Sequence, residues 1–495
     1  LVDPAAEAPL TRLFEELTGQ TWDPRAASRR ARLEVMAGAL HSELARLVEI
    51  AARACGASPA CRDYTRAEIA AALAEILAGY PTYRTYLRAG TTNELDRARI
   101  ASAVAAASDA KPELDRDLLA FLEAALAFEV NAPDALDFAV AAQQVTGAIV
   151  AKGDEDTVLY RQIRLLSRCE VGAELRCFAH APASVHHALA SGWPRSLLAT
   201  STHDTKRGED VRARIAAISE VPDEWAAAVR RWHAAARRHW AVVPDGVLEY
   251  TWWQELAGAW PLPLERARTH VHKVAREARL RTSWHHLDGE YEAALDRFVD
   301  GIYGDTDLIA DIARMSAVLA PHGDRNSLAQ LLIKLCAPGV PDFYQGCELR
   351  DDSLVDPDNR RDVDLGLRRE RLRHLVDATP RQVAESHDLG VLKLWTIRRV
   401  LALRRRHPGK FEGAYRALAA TGPHAHRVFA FARGDDLVAI APRLGAHADG
   451  WRDTTLQLPP GAWRDVLADR AVPGGGARAV GEILAGFPIA LLARV

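Results

Sequence analysis

Sulfur-bearing residues are scarce in this sequence, which holds 6 cysteines and 2 methionines among 495 residues. No two cysteines form a Cys-x-x-Cys pair, and thiols this sparse do not make a disulfide scaffold. The spacing therefore excludes a zinc-binding or redox motif. We expect reduced thiols, a cytoplasmic protein, no metal and no other cofactor.

Long apolar runs and an excess of one charge are also lacking. No segment approaches the ~20 apolar residues of a membrane-spanning helix, and no signal peptide is visible. Lys and Arg number 63 against 66 Asp and Glu, so the net charge is −3. Because a near-neutral chain offers no electrostatic footprint for nucleic acid or an anionic membrane, neither is an expected partner.

What the sequence does contain is the composition of a globular protein, with 48% hydrophobic and 26% charged residues. This balance excludes a disordered or fibrous chain. A single hydrophobic core stops growing near ~250–300 residues, so a chain of this length is expected to fold as several domains.

The first third of the chain predicts helices. Apolar residues recur at helical spacing between charged ones over 33–47. Thr65 and Glu68 form a capping-box signature that opens another helix. Further helical stretches follow at about 93–108 and 112–128. Because this alanine-rich block has no strand pattern, we expect an all-helical domain.

A different pattern begins near residue 143, where short apolar runs end in polar clusters. Such runs lie at 145–150, 196–199 and 331–335, and amphipathic helices are predicted at 209–219 and 222–239. The order strand, polar loop, helix is typical of a (β/α)₈ barrel. In that fold the functional residues lie on loops that follow the strand C-termini.

The last part of the chain, from about 411, predicts short strands. The runs 428–432 and 437–440 flank a Gly-Asp turn, which indicates a β-hairpin. Segments 455–458 and 489–492 add further strands. We therefore expect a small antiparallel β-sandwich in this region.

Together these patterns predict an α/β protein of four parts. They are a barrel entry segment at 1–20, a helical insertion domain at 21–142, the second half of a (β/α)₈ barrel with helical extensions at 143–410, and a C-terminal antiparallel β-sandwich at 411–495.

The densest polar cluster occupies 202–207. A carboxylate such as Asp204 accepts hydrogen bonds from vicinal hydroxyls and stabilises nearby positive charge, and His203 can donate to a hydroxyl. With the cations Lys206 and Arg207 behind them, these residues suit a polyhydroxylated substrate that develops charge. The same pattern is also typical of a helix N-cap followed by solvated cations.

A second cluster lies on a proline-stiffened loop. Carboxylates and guanidinium groups on such a loop can clasp sugar hydroxyls in a fixed geometry, although a polar turn with local salt bridges has the same composition. The candidate residues of this cluster are Asp356, Asp358, Asn359 and Arg360.

A third cluster, Lys152, Glu155 and Asp156, follows the apolar run at 145–150. It is equally typical of an acid-rich helix start, which the helix dipole favours. Tryptophans are frequent in the same half of the chain, and a tryptophan face can stack on a sugar ring. Trp252, Trp253, Trp260 and Trp284 are residues of a type that more often packs in the core, and among these four Trp284 is the strongest candidate for stacking.

The segment 199–207, Ala-Thr-Ser-Thr-His-Asp-Thr-Lys-Arg, resembles the last sequence region of the α-amylase superfamily, glycoside hydrolase family 13. In its Thr-Lys-Arg form it is similar to maltooligosyltrehalose synthases. More segments resemble the same family, in the family's order and over nearly the whole chain. They lie at 62–65, 83–86, 151–157, 258–261, 280–284, 339–346 and 354–361.

This resemblance implies an isomerase, a (1→4)-α-D-glucan 1-α-D-glucosylmutase of trehalose biosynthesis. Such an enzyme converts the reducing-end α-1,4 bond of a maltooligosaccharide into an α,α-1,1 bond by retaining intramolecular transglycosylation. The implied pathway partner is a maltooligosyltrehalose trehalohydrolase.

The resemblance also assigns roles to residues. Asp204 is implied as the carboxylate that stabilises the transition state, and His203 as its hydroxyl-binding neighbour. The implied substrate-binding residues are Lys206, Arg207, Lys152, Glu155, Asp156, Arg281, Trp284, Asp342, Tyr344, Gln345, Asp356, Asp358, Asn359 and Arg360. One departure is Asp154, because the family usually has an apolar residue there.

Two catalytic groups of the family have no match in the sequence. A retaining mechanism needs a nucleophilic Asp and a general-acid Glu, and in the family both precede a segment that residues 1–4 resemble. We therefore expect the chain to be a C-terminal portion that lacks the N-terminal half of the barrel and is inactive without it. The alternatives are a non-catalytic glucan-binding pseudoenzyme and a related superfamily hydrolase.

Overall fold

The computed structural model describes residues 1–91, 93–240, 245–355, 357–445 and 450–495. The chain divides into two compact units. The main unit comprises Leu1–Gln20, Ile163–Lys273 and Asp288–Val495, and the helical unit comprises Thr21–Gln162 and Val274–Leu287. The domain bounds predicted from the sequence stay predictions.

Helices supply most of the regular structure. They are α1 (Glu7–Thr18), α2 (Pro24–Ala37), α3 (His41–Gly56), α4 (Arg66–Ala78), α5 (Glu94–Ala110), α6 (Arg116–Leu126), α7 (Pro133–Val150), α8 (Pro182–Ser191), α9 (Glu209–Ala216), α10 (Pro222–Ala236), α11 (Gly246–Ala259), α12 (Leu264–Ala278), α13 (Gly289–Gly304), α14 (Thr306–Cys336), α15 (Leu365–His374), α16 (Pro380–Glu385), α17 (Leu389–Arg406) and α18 (Val480–Ile483).

The strands are short. They are β1 (Leu197–Leu198), β2 (Val340–Pro341), β3 (Tyr415–Leu418), β4 (Ala420–Thr421), β5 (Val428–Arg433), β6 (Leu437–Pro442), β7 (Thr455–Leu458), β8 (Ala462–Asp465), β9 (Arg470–Pro473), β10 (Gly476–Ala479) and β11 (Ala490–Arg494).

The start of α4 confirms the predicted capping box. The Thr65 hydroxyl accepts the backbone N–H of Glu68 at 3.3 Å, and the Glu68 carboxylate accepts the backbone N–H of Thr65 at 2.8 Å. The run at 33–47 is not one helix, because α2 ends at Ala37 and α3 begins at His41. The core of the helical unit is built from apolar residues of α3 to α7.

Two of the predicted strands are wrong. The run 145–150 forms the last turns of the 18-residue helix α7, and 331–335 lies at the end of the 31-residue helix α14. A short apolar run fits a buried strand and a buried helix equally well, and here the length of each helix decides. The prediction of a helix start near 112 is wrong as well, since Asp115 caps α6 and the helix begins at Arg116.

Strands β3 to β11 form two antiparallel sheets, one ordered β3-β5-β6-β11-β8-β9 and the other β10-β7-β4. The predicted hairpin is confirmed as β5 and β6, which pair from Val428 opposite Pro442 to Arg433 opposite Leu437. Both strands are buried along their whole length because alternate residues enter different cores. Phe429 packs with α14 and α17, whereas Ala430 packs with the second sheet.

The coarse α/β assignment is consistent with this helix-rich chain and its sheets, while the half-barrel and the sandwich stay predictions. Among the residues described, no helix combines the length and the apolar content that crossing a bilayer requires. All six cysteines are free thiols.

Candidate functional site

Two strands of the main unit place the first and second polar clusters at one edge. β1 and β2 pair in parallel, with the Val340 N–H donating to the Ser196 carbonyl and the Asp342 N–H to the Leu198 carbonyl, both at 2.9 Å. Parallel strands end on the same side, so the segments that follow them start together. We call residues 199–208 the His-Asp loop.

A glycine permits this pairing. Gly339, just before β2, has φ of 132°, a conformation that side-chain-bearing residues rarely adopt. A Cβ at this position would lie 2.6 Å from Leu198 Cγ. The close approach of the two strands therefore requires glycine here.

The His-Asp loop exposes the predicted catalytic carboxylate. Asp204 is 64% exposed, and His203 Nε2 lies 3.1 Å from its Oδ2. Arg360 Nη2 lies 3.9 Å from Asp204 Oδ1, and its side chain is 50% exposed. The structure thus brings together three residues that the sequence placed in two separate clusters.

Asn359 ties the two clusters together. Its side-chain Nδ2 donates to the backbone carbonyls of His203 at 3.0 Å and Thr205 at 3.2 Å. The Thr205 hydroxyl donates to the Thr202 carbonyl at 2.7 Å. The loop that carries Asp204 is therefore held by side chains on both of its flanks.

A carboxylate that no motif singled out holds the next part of the loop. Glu170 accepts the backbone N–H of Lys206 at 2.8 Å through Oε1 and that of Arg207 at 3.3 Å through Oε2. Both loop residues are buried, as is Glu170 itself. A lone Glu between two arginine-containing segments gives no sequence signal of this role.

Arg207 points into the protein interior rather than to the loop surface. Its Nε and Nη2 donate to Glu255 Oε1 at 3.0 and 2.7 Å, and His270 Nε2 lies 2.8 Å from Glu255 Oε2. All three side chains are at most 3% exposed. Burial alone would raise the pKa of Glu255, but His270 and Arg207 outweigh it and lower that pKa. These contacts favour a supporting role for Arg207.

Beneath β1 lies a second buried ionic group. Lys393 Nζ, fully buried on α17, contacts Glu209 Oε1 at 2.7 Å and Asp210 Oδ2 at 2.8 Å. Lys334 Nζ lies 3.6 Å from Glu209 and donates to the Thr200 hydroxyl at 2.8 Å. Burial would raise the pKa of Glu209, but the two lysines hold it at about 2. Glu209, at the start of α9, is therefore held in its charged form.

The Asp358 carboxylate is bound by other groups of the protein rather than left available to a substrate. Arg266 Nε and Nη2 donate to its two carboxylate oxygens at 2.9 and 2.8 Å, and the Leu354 N–H donates to Oδ2 at 2.7 Å. Burial would raise the pKa of Asp358, but Arg266 outweighs it and the pKa is lowered. Asp356, predicted to bind substrate, lies outside the described residues.

The segment after β2 carries three more candidates. Asp342 and Gln345 are exposed, and Tyr344 is half-buried. Gln345 Nε2 donates to the Arg361 carbonyl at 3.5 Å. The polar groups of these three side chains therefore lie on the same loop that carries Arg360.

The third cluster lies in the helical unit, on a short π-helical turn, Ala151–Glu155. Lys152 Nζ contacts Asp156 Oδ2 at 2.8 Å, and both side chains are partly exposed. The Tyr83 hydroxyl donates to Glu155 Oε1. The cluster is therefore a bonded surface group and not the start of an α-helix.

Asp154, the departure from the family pattern, has a structural explanation. Arg32 on α2 donates to its Oδ1 from Nε at 3.0 Å and to its Oδ2 from Nη2 at 2.5 Å. The same guanidinium donates through Nη1 to the carbonyls of Ala78 and Tyr80. Asp154 thus fixes the turn that carries Lys152.

Trp284, the candidate for stacking, is 48% exposed. Its Nε1 donates to Glu277 at 3.1 Å, and the Arg276 guanidinium lies 4.9 Å from its ring centroid. Nearby Arg281 is also exposed. Trp252 and Trp253 of α11 are buried, which agrees with core packing.

The predicted site residues therefore form two groups, one in each unit. His203, Asp204 and Arg360 lie together on the main unit, with Lys206, Arg207, Asp358 and Asn359 turned inward to support them. Within the described ranges, no group of three or more His, Cys, Asp or Glu side chains could hold a metal ion.

Comparisons with known proteins find relatives along the whole chain. It is 38% identical over 507 residues to a protein of Mycobacterium tuberculosis strain H37Rv named as a maltooligosyl trehalose synthase, covering 100% of the chain and 61% of that protein. The solved maltooligosyltrehalose synthase of Arthrobacter ramosus is 36% identical with a TM-score of 0.88, covering 100% of this chain and 62% of that one. A hypothetical maltooligosyl trehalose synthase from Sulfolobus tokodaii is 25% identical with a TM-score of 0.75, covering 99% of this chain and 60% of that one.

No family model matches the chain. The relatives nevertheless carry the family name that the ordered motifs predicted, so the resemblance is confirmed. The chain spans about three fifths of the length of these relatives. The roles of individual site residues stay predictions.

Proposed function

Since the chain is related along its entire length to maltooligosyltrehalose synthases, we propose that it forms the substrate-positioning part of such an enzyme. The observation that carries this proposal is the exposed Asp204 beside His203 and Arg360, on a loop whose backbone is held by buried side chains. An exposed carboxylate on a rigid loop is what stabilisation of a cationic sugar requires.

The proposed reaction rearranges the reducing end of a maltooligosaccharide without consuming water. A nucleophilic carboxylate displaces the terminal glucose from C1 of its neighbour, and the departing O4 takes a proton from a general acid. The anomeric hydroxyl of the released glucose then attacks the same C1, the bond from C1 to the nucleophilic carboxylate breaks, and the hydroxyl proton returns to that acid's conjugate base. The α-1,4 bond has become an α,α-1,1 bond.

Asp204 would act at both steps. C1 carries positive charge in each oxocarbenium-like transition state, and a fixed carboxylate nearby stabilises that charge. His203 would bind a hydroxyl of the same sugar. Arg360, at 3.9 Å from Asp204, would contribute donors to the sugar.

We propose that the nucleophile and the general acid are supplied by a segment equivalent to the part of the relatives that this chain does not match. The second half of a (β/α)₈ barrel and a C-terminal β-sandwich are the folds proposed for the main unit. A maltooligosyltrehalose trehalohydrolase and a cytoplasmic location belong to the same proposal.

Co-expression tests this function. The chain would be produced together with the segment of the Arthrobacter ramosus synthase that lies outside the matched region, and the complex would be incubated with maltopentaose. We expect reducing ends to disappear without release of glucose. A complex that co-purifies in equal amounts but leaves the reducing ends intact would overturn the proposal.

The Asp204→Asn variant of that complex makes the test specific. Loss of the stabilising charge should lower kcat by about 100-fold or more. Asp435→Asn is the matched control, because Asp435 is exposed in the β5–β6 turn of the same unit and should leave kcat unchanged. If Asp204→Asn retains full activity, the carboxylate has another role.

The same protein preparations distinguish an enzyme from a glucan-binding pseudoenzyme. Calorimetric titration of the chain with maltopentaose, alone and in the complex, reports binding independently of turnover. Binding by a complex that never isomerises the sugar would favour the pseudoenzyme.

A further inference from the structure

The carboxamide of Asn359 spans the candidate catalytic residue. Its Nδ2 donates to the carbonyl of His203 at 3.0 Å and to that of Thr205 at 3.2 Å, the residues immediately before and after Asp204. An amide nitrogen has two hydrogens, so these two bonds use both of its donors. The side chain is buried, with 7% of the residue exposed.

We infer that Asn359 is a positioning residue for Asp204 and not a sugar ligand, which replaces the role that its motif predicted. This inference rests on the proposed function for the chemistry of Asp204. The two hydrogen bonds that position the loop do not depend on that proposed function. Both donors are used by backbone carbonyls, and the remaining acceptor, Oδ1, is buried, so the carboxamide offers no group to a sugar hydroxyl.

The other bonds of the His-Asp loop lie beyond this stretch. Glu170 holds the backbone at Lys206 and Arg207, and the Gly208 N–H donates to the Ser353 carbonyl at 2.7 Å. At 203–205 the remaining bonds among the described residues are local ones with Thr202. Asn359 is therefore the tie that fixes Asp204 relative to another segment of the fold.

Arg360 follows Asn359 directly in the sequence and lies on the same anchored segment. Arg360 Nη2 lies 3.9 Å from Asp204 Oδ1. The segment that holds the Asp204 loop through Asn359 is therefore the one that carries its cationic neighbour Arg360. A displacement of about 1 Å in such a group can cost about 100-fold in rate.

Steady-state kinetics of the co-expressed complex test the role. For Asn359→Ala we expect kcat to fall about 10- to 100-fold while KM for maltopentaose changes less than about twofold, because transition-state stabilisation is lost and sugar contacts are kept. Asn359→Asp should be at least as impaired, since a carboxylate oxygen would face two carbonyl oxygens. Asn131→Ala, at an exposed position, is the control. A rise in KM with unchanged kcat would overturn the inference.

Hydrogen–deuterium exchange on the chain itself gives a readout that needs no activity. In Asn359→Ala, the amides of 200–208 should exchange at least about fivefold faster, while those of α9 and α17 stay unchanged. Faster exchange throughout the main unit would indicate general unfolding, and unchanged exchange at 200–208 would contradict a positioning role. If the wild-type complex is inactive but the loop amides respond as expected, the proposed function is wrong. The positioning of the His-Asp loop by Asn359 is then still supported.

Discussion

At the scale of single residues, the charges that support the His-Asp loop are buried and paired. Arg207, Glu255 and His270 form one such group, with no side chain more than 3% exposed. Replacing one partner of a buried ion pair is far more costly than the net contribution of the pair, because the remaining charge is left without compensation.

Glu255→Gln should therefore destabilise the main unit by about 3–5 kcal/mol. The substitution keeps the shape of the side chain but leaves the Arg207 guanidinium without its counter-charge. Urea unfolding measures the effect. Glu265→Gln is the control, since Glu265 is 84% exposed and should leave the midpoint unchanged. An equal response of both variants would contradict the pairing.

Asp465 on β8 predicts a dependence of stability on pH. Burial raises its pKa to about 6, although its Oδ1 accepts the N–H groups of Leu467 and Ala468. The unfolded pKa is near 3.9, so between about pH 4 and 6 the folded state binds more protons. Stability should therefore fall as pH rises through this window, by about 3 kcal/mol in total.

The Asp465→Asn variant isolates this effect. Without an ionisable group, the difference in unfolding free energy between pH 4.5 and pH 7.5 should shrink, and the variant should be more stable than the wild type at pH 7.5. Urea titrations at both pH values measure this difference. A variant with the wild-type pH dependence would show that another group titrates.

At the scale of elements, close contacts between segments decide which residues are tolerated. Gly153 lies on the turn after α7 and faces α2. A Cβ at this position would lie 2.5 Å from Arg32 Cγ and 3.1 Å from Arg32 Cα. The contact allows Arg32 to reach Asp154 and the carbonyls of Ala78 and Tyr80 at the end of α4.

Gly153→Ala should destabilise the helical unit by about 1–3 kcal/mol, the usual cost of overpacking. Gly56→Ala is the matched control, because a Cβ there meets nothing within 4 Å at the end of α3. Its stability should stay the same or rise slightly. Circular dichroism during thermal unfolding measures both variants, and equal midpoints would contradict the close contact.

Elements with local signals are the ones that the sequence could predict. The capping box at Thr65 and the β5–β6 hairpin are specified by residues a few positions apart, and both are confirmed. The strand predictions at 145–150 and 331–335 are wrong because a run of five or six residues is too short to distinguish the period of a helix from that of a strand. Their state is set by the long helices that they complete.

The candidate-site residues likewise divide into those with a local sequence signal and those without one. His203, Asp204 and Arg360 belong to motifs, whereas Glu170 and Glu255 reach the loop only through the fold. Glu255 did carry a signal, since it is one of two glutamates within the mostly apolar and buried stretch of α11. A charge in such a helix predicts a buried partner, but the sequence does not say which.

At the scale of the whole molecule, the chain folds as two compact units, each with its own core. Units of this kind often unfold separately rather than in one cooperative transition. The helical unit contains Gly153, and the main unit contains Glu255.

Calorimetry of the chain should therefore show two transitions. Gly153→Ala should lower the midpoint of one and Glu255→Gln the midpoint of the other, because each substitution changes contacts within a single unit. The double variant should combine the two shifts additively. A single transition that both substitutions shift equally would contradict independent unfolding.

The ties of the His-Asp loop also set the order in which the site can mature on the ribosome. Glu170 precedes the loop by about 36 residues, so this clamp is available as soon as the loop emerges. Asn359 follows His203 by 156 residues, which at roughly 5–20 residues per second means a delay of roughly 8–30 s. During that interval Asp204 lies on a loop that lacks the two hydrogen bonds from Asn359. The candidate catalytic carboxylate would thus acquire its final orientation late in synthesis, after most of the main unit has been translated.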